Sequence, residues 1–244
     1  MKSFDVVIPV YNEERILAQS VETLRSFLRE SFPYRWRIVI ADNASTDGTL
    51  GIAEELARRA PDEVRVLHLD EKGRGRALKR AWLDSDADAM GYMDVDLSTD
   101  IAKTVDLARA VLDEGYDLAY GSRLARGAET TRSLKREIVS RGNMAVIKAL
   151  FLVRFSDAQC GFKAITREAA RALLPLVRDT YWFFDTELLI KAEKAGYRLK
   201  EIPVRWQEDP DTRVKLVQDI AKQLRGLLRV RFERIPRREE LVST

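Results

Sequence analysis

The chain has 244 residues, 45% of them hydrophobic and 33% charged, which is enough for one sizeable core and favours a single α/β domain. Its formal net charge of +3 does not indicate a nucleic-acid partner, and its single cysteine, Cys160, excludes an internal disulfide and fits a reducing compartment. No signal-peptide pattern and no uninterrupted apolar run of about 18 residues occurs, so a membrane-spanning helix is not expected.

Strands and helices alternate through the first half of the chain. The β-branched run within Phe4 to Val10 predicts a buried strand, and Asn12 is expected to cap a helix that extends to about Glu30. Further strands are predicted at 37–41, 64–69, 87–93 and 117–120, and further helices at about 49–60, 75–84 and 100–114. This alternation predicts a parallel sheet, in which ligands bind at the carboxyl ends of the strands.

Two acids, Asp94 and Asp96, follow the predicted strand at 87–93. Their i, i+2 spacing places both carboxylates on one face of an extended backbone, where they repel each other unless a cation lies between them. Oxygen ligands of this kind suit Mg²⁺ or Mn²⁺, with substrate phosphates completing the coordination. The pair has the alternative role of starting a turn before the next helix. Polar clusters at three other strand ends, 11–13, 42–47 and 70–76, favour the metal and phosphate interpretation.

The second half of the chain is less regular. A long helix is predicted from about 133 to 155, basic in its first part and almost entirely apolar from Met144 to Phe155. A strand at 161–165, a helix at 184–195, a strand at 198–202 and an amphipathic helix at 212–232 follow. We expect one domain over residues 1–211, an amphipathic helix at 212–235 that packs on or near it, and a disordered tail at 236–244.

Nine sequence blocks resemble the family 2 glycosyltransferases of GT-A fold. In chain order they are VVIPVYNEE, ADNASTDGT, KGRGRAL, YMDVDLS, GSR, LKREIVSRGN, DAQCGFK, FFDTELL and EIPVRW. The later blocks are similar to the dolichyl-phosphate glucose and mannose synthases, and DAQCGFK favours the glucose type. The resemblance implies a Rossmann-like, mixed and mostly parallel sheet flanked by helices, with C-terminal amphipathic helices. It also implies an inverting transfer of a hexose from a nucleotide diphosphate sugar, UDP favoured, to a polyprenyl or dolichyl phosphate, with Mg²⁺ or Mn²⁺.

The resemblance also implies roles for individual residues on the donor side. Asp42 would accept a hydrogen bond from the base, Asp94 would contact the ribose or the metal, and Asp96 would bind the metal that bridges the diphosphate. The other residues implied to line the nucleotide pocket are Pro9, Tyr11, Asn12, Glu13, Asn43, Lys72, Gly73 and Arg76. For the last three, a solvated basic turn remains the alternative.

On the acceptor side, a polyprenyl phosphate is already ionised, so it needs cations to hold and aim it rather than a strong base. Arg123, Arg136 and Ser140 match the family positions for this phosphate, and Arg136 and Ser140 share one face of the predicted helix. Arg213 and Lys215 are further candidates, although the family usually has a Gly-Ser-Lys-like patch there. For any single Arg, a solvated helix face is the alternative.

Two rival functions remain open. A family 2 transferase with a saccharide or protein hydroxyl acceptor needs a base, for which Asp157 and Asp185 are the candidates. A sugar-nucleotide-binding subunit without catalysis would not need the intact acid pair. His68 is expected to have a packed or rim role rather than a catalytic one, and Cys160 is expected to pack. Asp185 and Glu187 are candidates to contact sugar hydroxyls, with a helix cap as the alternative for Asp185. Trp182 and Phe183 are assigned equally to the core or to a sugar or lipid platform.

A lipid acceptor implies a membrane surface as partner. The segment from Met144 to Phe155 is apolar on almost every side but too short to span a bilayer, so we expect it to contact the membrane. The helix at 212–232 has leucines at helical spacing together with several cations, so it is a second candidate for interfacial contact, and packing of its apolar face on the protein's own sheet is an almost equal alternative. Together these features predict a peripheral protein at the cytoplasmic face of a membrane.

Overall fold

The computed structural model describes residues 1–131, 134–207 and 216–242, with all their side chains except those of 131–136, 207, 216–220 and 242. The strands are β1 (Ser3–Val10), β2 (Arg35–Asn43), β3 (Val64–Leu69), β4 (Ala89–Met93), β5 (Leu118–Ser122), β6 (Glu129–Thr131), β7 (Phe162–Thr166), β8 (Leu199–Pro203) and β9 (Arg205–Gln207). The helices are α1 (Leu17–Ser31), α2 (Thr49–Arg59), α3 (Arg74–Leu83), α4 (Lys103–Leu112), α5 (Leu134–Phe151), α6 (Arg167–Leu173), α7 (Phe184–Ala195), α8 (Leu216–Phe232) and α9 (Arg238–Val242).

Seven strands form one mixed sheet in the order β3-β2-β1-β4-β7-β5-β8, in which only β7 runs antiparallel to its neighbours. The six parallel strands therefore direct their carboxyl ends to the same edge. β6 and β9 form a separate two-stranded parallel pair, which the sequence did not predict. The architecture confirms the predicted mixed, mostly parallel α/β sheet flanked by helices.

The sheet is buried on both faces, as the continuous β-branched run of β1 predicts. Val6 and Ile8 pack into the core on the side of α1, α2 and α4, whereas the alternate residue Val7 packs into the core on the side of α3, α6 and α7. All three side chains are at most 1% exposed. Burial of both faces fixes the sheet as a rigid base from which the loops at its carboxyl edge extend.

The first helix begins later than its sequence predicts. α1 begins at Leu17, and Asn12 does not cap it. Instead, Asn12 has a left-handed backbone conformation with φ of 56°, which asparagine tolerates better than most residues. Its side chain accepts a hydrogen bond from the Thr46 amide at 2.8 Å, so it links the loops after β1 and β2.

The prediction that Met144 to Phe155 contacts a membrane is wrong for its largest apolar side chains except Leu152, because most of these lie in the core. α5 ends at Phe151, and Met144, Ile147 and Phe151 lie in the protein core at 0–5% exposure. Their i, i+3, i+7 spacing forms one helix face that packs on the same core as Leu227 of α8. Leu152, 81% exposed, is the main apolar side chain that this segment presents to solvent.

The end of the chain is more ordered than expected. The predicted tail at 236–244 contains α9, whose Arg238 forms an ion pair with Asp117 at 3.0 Å, while Leu241 packs against the core. The prediction of a disordered tail is therefore wrong for residues 238–242. Of the predicted amphipathic helix, residues 212–215 lie outside the described part of the chain, and α8 accounts for the remainder. None of the described helices is long and apolar enough to cross a membrane.

Candidate active site

The carboxyl edge of the sheet carries a concentration of strained backbone. Among the described residues, four non-glycine residues have a positive φ, and three of them are Asn12, Ala44 and Leu97. These three lie in the loops after β1, β2 and β4, which are adjacent strands of the sheet. Conformations of this kind cost free energy and concentrate at functional sites. The predicted strand-end clusters therefore converge at one edge.

Hydrogen bonds tie the loops after β1 and β2 together. The amide of Asn12 donates to the Ser45 hydroxyl at 3.0 Å, and the amide of Glu13 donates to the Thr49 hydroxyl at 2.8 Å. The loop after β3 joins them, because the ammonium of Lys72 lies 3.4 Å from the centre of the Tyr11 ring. The predicted nucleotide-pocket residues of these three loops are thus brought together, with Pro9 half-buried at the end of β1.

Asp42 and Asn43 end β2 inside this cluster. Asp42 is fully buried, its Oδ2 accepts a hydrogen bond from Nδ1 of His68 at 2.7 Å, and its Oδ1 has no hydrogen-bond partner among the described atoms. Asn43 Oδ1 accepts a hydrogen bond from the amide of Gly73 at 2.5 Å, which fixes the loop after β3. His68 is 40% exposed and contacts a predicted site residue, which agrees with the predicted rim role.

The structure places the three predicted residues of the loop after β3 in different surroundings. A Cβ at position 73 would lie 2.6 Å from the carbonyl oxygen of Thr180, so only glycine fits there. Lys72 faces the cluster through Tyr11. Arg76 instead forms an ion pair with the exposed Glu71, which agrees with the alternative of a solvated basic turn for this residue.

A series of ion pairs connects Asp94 to buried charged side chains. The guanidinium of Arg74, at the start of α3, binds Asp94 at 2.6 Å and Asp185 at 2.8 Å. Lys163 of β7, itself fully buried, reaches Asp185 at 3.0 Å, and the Tyr92 hydroxyl also donates to Asp185. The sequence did not single out Arg74 or Lys163, although they lie within the blocks KGRGRAL and DAQCGFK.

Asp185 binds the neighbouring charged side chains Arg74 and Lys163 rather than being free to contact a substrate. Burial alone would raise its pKa, but the charges of Lys163 and Arg74 outweigh burial and hold the pKa below its ordinary value. Asp185 also lies inside α7, which Phe183 precedes, so the prediction that Asp185 caps this helix is wrong. The carboxylate is 4% exposed and fully partnered.

Asp94 and Asp96 project from the turn after β4, on either side of the buried Val95. Asp94 is 40% exposed and packs on Gly161, where an added Cβ would overlap its Oδ2. Asp96 is exposed, and its Oδ1 accepts a hydrogen bond from the Ser98 amide at 3.0 Å. Within the described residues no three metal-binding side chains form a group. Two carboxylates nevertheless fit Mg²⁺, which proteins commonly hold with one or two carboxylates plus substrate phosphates.

The predicted acceptor residue Arg123 follows β5 and is held in one orientation. Its Nε and Nη2 bind the two oxygens of Asp157 at 2.7 and 3.0 Å, and the ring of Trp206 lies 5.4 Å from its guanidinium carbon. Burial raises the pKa of Asp157, but the charge and hydrogen bonds of Arg123 reverse this and lower the pKa to about 2. Asp157 is thus an orienting anion for Arg123.

The remaining predicted acceptor residues are described only in part. Arg136 and Ser140 both lie in α5, four residues apart and hence on one face; Ser140 is half-buried, whereas the side chain of Arg136 is outside the described set. Arg213 and Lys215 also lie outside the described residues.

Three other candidates have structural roles. Burial raises the pKa of the Cys160 thiol to about 12, so it is a packed neutral side chain. Glu187 binds Lys191 at 2.6 Å and Arg229 of α8 at 2.8 Å, so the prediction that it contacts sugar hydroxyls is wrong. Phe183 belongs to the core, whereas Trp182 is 55% exposed and lies 5.1 Å from the guanidinium of Arg74.

The family model and the similar proteins all indicate a glycosyltransferase family. The model of glycosyl transferase family 2 matches residues 5–174. The glycosyltransferase AglD of Haloferax volcanii is 38% identical over 248 residues, which cover 98% of this chain but only 39% of AglD. The dolichyl-phosphate beta-glucosyltransferase of Saccharomyces cerevisiae is 30% identical over 247 residues, covering 93% of this chain and 73% of that enzyme.

Solved structures share the fold. Glucosyl-3-phosphoglycerate synthase from Mycobacterium tuberculosis, in complex with Mn²⁺, UDP and glucosyl-3-phosphoglycerate, has a TM-score of 0.70 with this chain at 20% identity. The match covers 94% of this chain and 80% of that one. A second crystal structure of the same enzyme contains Mg²⁺ and UDP. Because the identity is only 20%, this likeness shows the GT-A fold alone; the solved enzyme of that fold binds a divalent metal and UDP.

Proposed function

Because the chain belongs to glycosyl transferase family 2, we propose that it moves a hexose, glucose favoured, from a nucleotide diphosphate sugar to a polyprenyl or dolichyl phosphate. UDP is the favoured nucleotide, and the transfer inverts the anomeric carbon because the acceptor oxygen attacks opposite the leaving diphosphate. The yeast relative is a dolichyl-phosphate beta-glucosyltransferase, which supports both the sugar and the acceptor.

The surroundings of two buried carboxylates distinguish a phosphate acceptor from a hydroxyl acceptor. A hydroxyl acceptor needs a general base, and Asp157 and Asp185 are the candidates. Both are buried, both are bound by cations, and both have lowered pKa values. Carboxylates held in this way are poorly placed to take a proton. An acceptor that is already ionised needs no base, which supports a phosphate as the nucleophile.

The donor would bind at the ends of β1 to β4. The unpartnered Oδ1 of Asp42 is a suitable acceptor for the imide N–H of uracil, because a carboxylate only accepts hydrogen bonds. Asp96 and Asp94 would hold Mg²⁺ or Mn²⁺ against the diphosphate. Such an ion, when bound, supplies positive charge that stabilises the leaving diphosphate.

The acceptor phosphate would bind between β5 and α5. Arg123 offers a guanidinium fixed by Asp157, and we propose that Arg136 and Ser140, four residues apart in α5, contribute to the same site. Arg213 is proposed to complete this cluster. These groups hold the phosphate charge and orient one oxygen toward the sugar, which is the contribution that a phosphate nucleophile requires from the protein.

Release of UDP tests the proposal against its rivals. The purified chain is mixed with UDP-glucose and Mg²⁺, and release is compared with a short polyprenyl phosphate, the matching polyprenol without phosphate, and no acceptor. Release that depends on the phosphate supports the proposal. Equal release with the polyprenol favours a hydroxyl acceptor, and binding without release in every mixture favours a non-catalytic subunit.

A lipid acceptor requires a membrane surface, and α8 is the segment that we propose contacts it. Leu224, Leu228 and Phe232 recur at i, i+4, i+8 and are 47, 55 and 84% exposed, forming an apolar stripe on α8. The flanking exposed cations are Lys222, Arg225 and Arg231. An apolar stripe bordered by cations suits an anionic lipid surface, where each cation contributes about 1 kcal/mol.

The inner face of α8 connects this stripe to the proposed site. Gly226 packs on Phe183, the neighbour of the exposed Trp182, and Gln223 donates to Asn143 of α5 at 3.0 Å. Contact of the stripe with lipid would therefore bring the acceptor-binding helix close to the headgroups. The proposed location is peripheral, at the cytoplasmic face of a membrane, and the unpaired Cys160 supports a reducing compartment.

Sedimentation with liposomes tests this location. The parent chain is expected to sediment with vesicles that contain anionic lipid, and a triple variant with Ser at 224, 228 and 232 is expected to remain in solution. Leu152→Ser is the control, because Leu152 is more exposed than Leu224 and Leu228 but lies outside the stripe. Unchanged sedimentation of the triple variant would exclude the stripe as the membrane-binding surface. Loss of sedimentation in Leu152→Ser would show that the end of α5 contacts the membrane instead.

A further inference from the structure

His68 lies directly beside the buried acid of the proposed base pocket. β2 and β3 pair in parallel with Asp42 opposite His68, so the sheet register itself places the two side chains together. Nδ1 of His68 and Oδ2 of Asp42 are 2.7 Å apart. A carboxylate only accepts hydrogen bonds, so the imidazole must donate from Nδ1. Asp42 receives no other side-chain hydrogen bond from the described residues.

The two oxygens of Asp42 therefore have different environments. Oδ2 is occupied by His68, whereas Oδ1 is buried and has no partner among the described atoms. An unpaired buried oxygen costs free energy, and a donor group that enters the pocket recovers that cost. Since His68 holds one oxygen, the carboxylate cannot rotate freely, and the other oxygen keeps a fixed direction.

Resting on the proposed function, we propose that His68 determines base specificity by fixing Asp42 so that Oδ1 faces the N–H of the nucleobase. An oxygen that only accepts favours bases with a ring N–H, such as uracil, over cytosine, whose corresponding ring nitrogen is an acceptor. His68 does not need to touch the nucleotide for this role. It is a positioning residue, and its effect passes through Asp42.

The other neighbour of His68 offers a control. Nε2 of His68 lies 3.7 Å from a carboxylate oxygen of Asp70, which is fully exposed. An exposed pair at this distance contributes little. Asp70→Asn should therefore leave the discrimination between bases unchanged, whatever its effect on overall nucleotide affinity. His68→Asn retains an amide N–H close to the position of Nδ1, whereas His68→Ala removes the donor, so these two variants separate the hydrogen bond from the bulk of the side chain.

Binding of UDP and of 3-methyl-UDP, which lacks the ring N–H, tests the inference by calorimetry without any turnover. The parent is expected to bind UDP about tenfold more tightly than 3-methyl-UDP, the difference that one hydrogen bond to a charged acceptor provides. His68→Ala should lose most of this discrimination. Its affinity for 3-methyl-UDP should change less than about twofold, because this nucleotide cannot form the hydrogen bond to Asp42. His68→Asn and Asp70→Asn should both retain the discrimination.

The outcomes distinguish this inference from the proposed function. Full discrimination in His68→Ala, or an equal loss for both nucleotides, would overturn the inference, because His68 would then act by packing or not at all. Failure of the parent to bind UDP would overturn the proposed donor as well. Retained binding of 3-methyl-UDP by His68→Ala reports that this variant is folded.

Discussion

Replacing Asp157 with Asn probes how firmly the protein holds Arg123. The ordinary pKa of 3.8 falls to about 2 in the folded protein, and Asp157 is 2% exposed on its side chain. The ionised carboxylate therefore contributes about 2.5 kcal/mol to folding. Its removal leaves the buried guanidinium without a counter-charge, so Asp157→Asn should be about 3 kcal/mol less stable near neutral pH.

The pH dependence provides the sharper test. Because the folded pKa is depressed, the contribution of Asp157 is fully present above about pH 5 and is lost as the pH falls through 4 toward 2. The stability difference between parent and variant should shrink by about 1 kcal/mol between about pH 5 and about pH 3. Urea denaturation at both pH values measures it, with the exposed Asp62→Asn as control. A difference that does not change with pH would refute the ion-pair reasoning.

Three further variants test the other parts of the site. Asp96→Ala should lower turnover by ~10²-fold or more if this carboxylate holds a metal against the leaving diphosphate, and near-normal turnover in the variant or in excess chelator would exclude the metal. Gly161→Ala should displace Asp94, whose Oδ2 occupies the space of the added methyl group, and reduce kcat/KM about tenfold at an unchanged unfolding midpoint; an unchanged kcat/KM would show that Asp94 is not needed in this position. Arg74→Met should lower the free energy of unfolding by about 3 kcal/mol in urea denaturation, because it leaves the buried Asp185 with Lys163 as its one cationic partner among the described residues. A loss below about 1 kcal/mol would contradict a stabilising role for these charged side chains.

The positions of Asp42 and Asp94 could be predicted because the alternating pattern implies a parallel sheet, and the carboxyl ends of parallel strands meet at one edge. The side chains that bind these acids could not be predicted from the sequence. His68 reaches Asp42 through the register of β2 and β3, and Arg74 reaches Asp94 across the start of α3. Neither distance can be inferred from spacing along the chain, since the partners are 26 and 20 residues apart.

The apolar segment of α5 shows a second limit. Its sequence is apolar on nearly every side, which led to the prediction of membrane contact, but sequence does not show which elements cover a helix. In the structure, Ile147 and Phe151 share a core with Leu227 and Val230 of α8, so a second helix covers what the sheet does not. The exposed apolar stripe lies on α8 instead, for which membrane contact and packing were almost equal alternatives from the sequence alone.

The most direct test of the central claim is to identify the transferred product. The chain is incubated with isotopically labelled UDP-glucose, Mg²⁺ and a short polyprenyl phosphate, and the lipid fraction is analysed by mass spectrometry and phosphorus NMR. The account predicts a labelled lipid in which hexose and polyprenyl phosphate are joined through a phosphodiester, formed by the parent and reduced in Asp96→Ala. Label confined to free glucose, or hexose attached through a hydroxyl with no new phosphodiester, would contradict it.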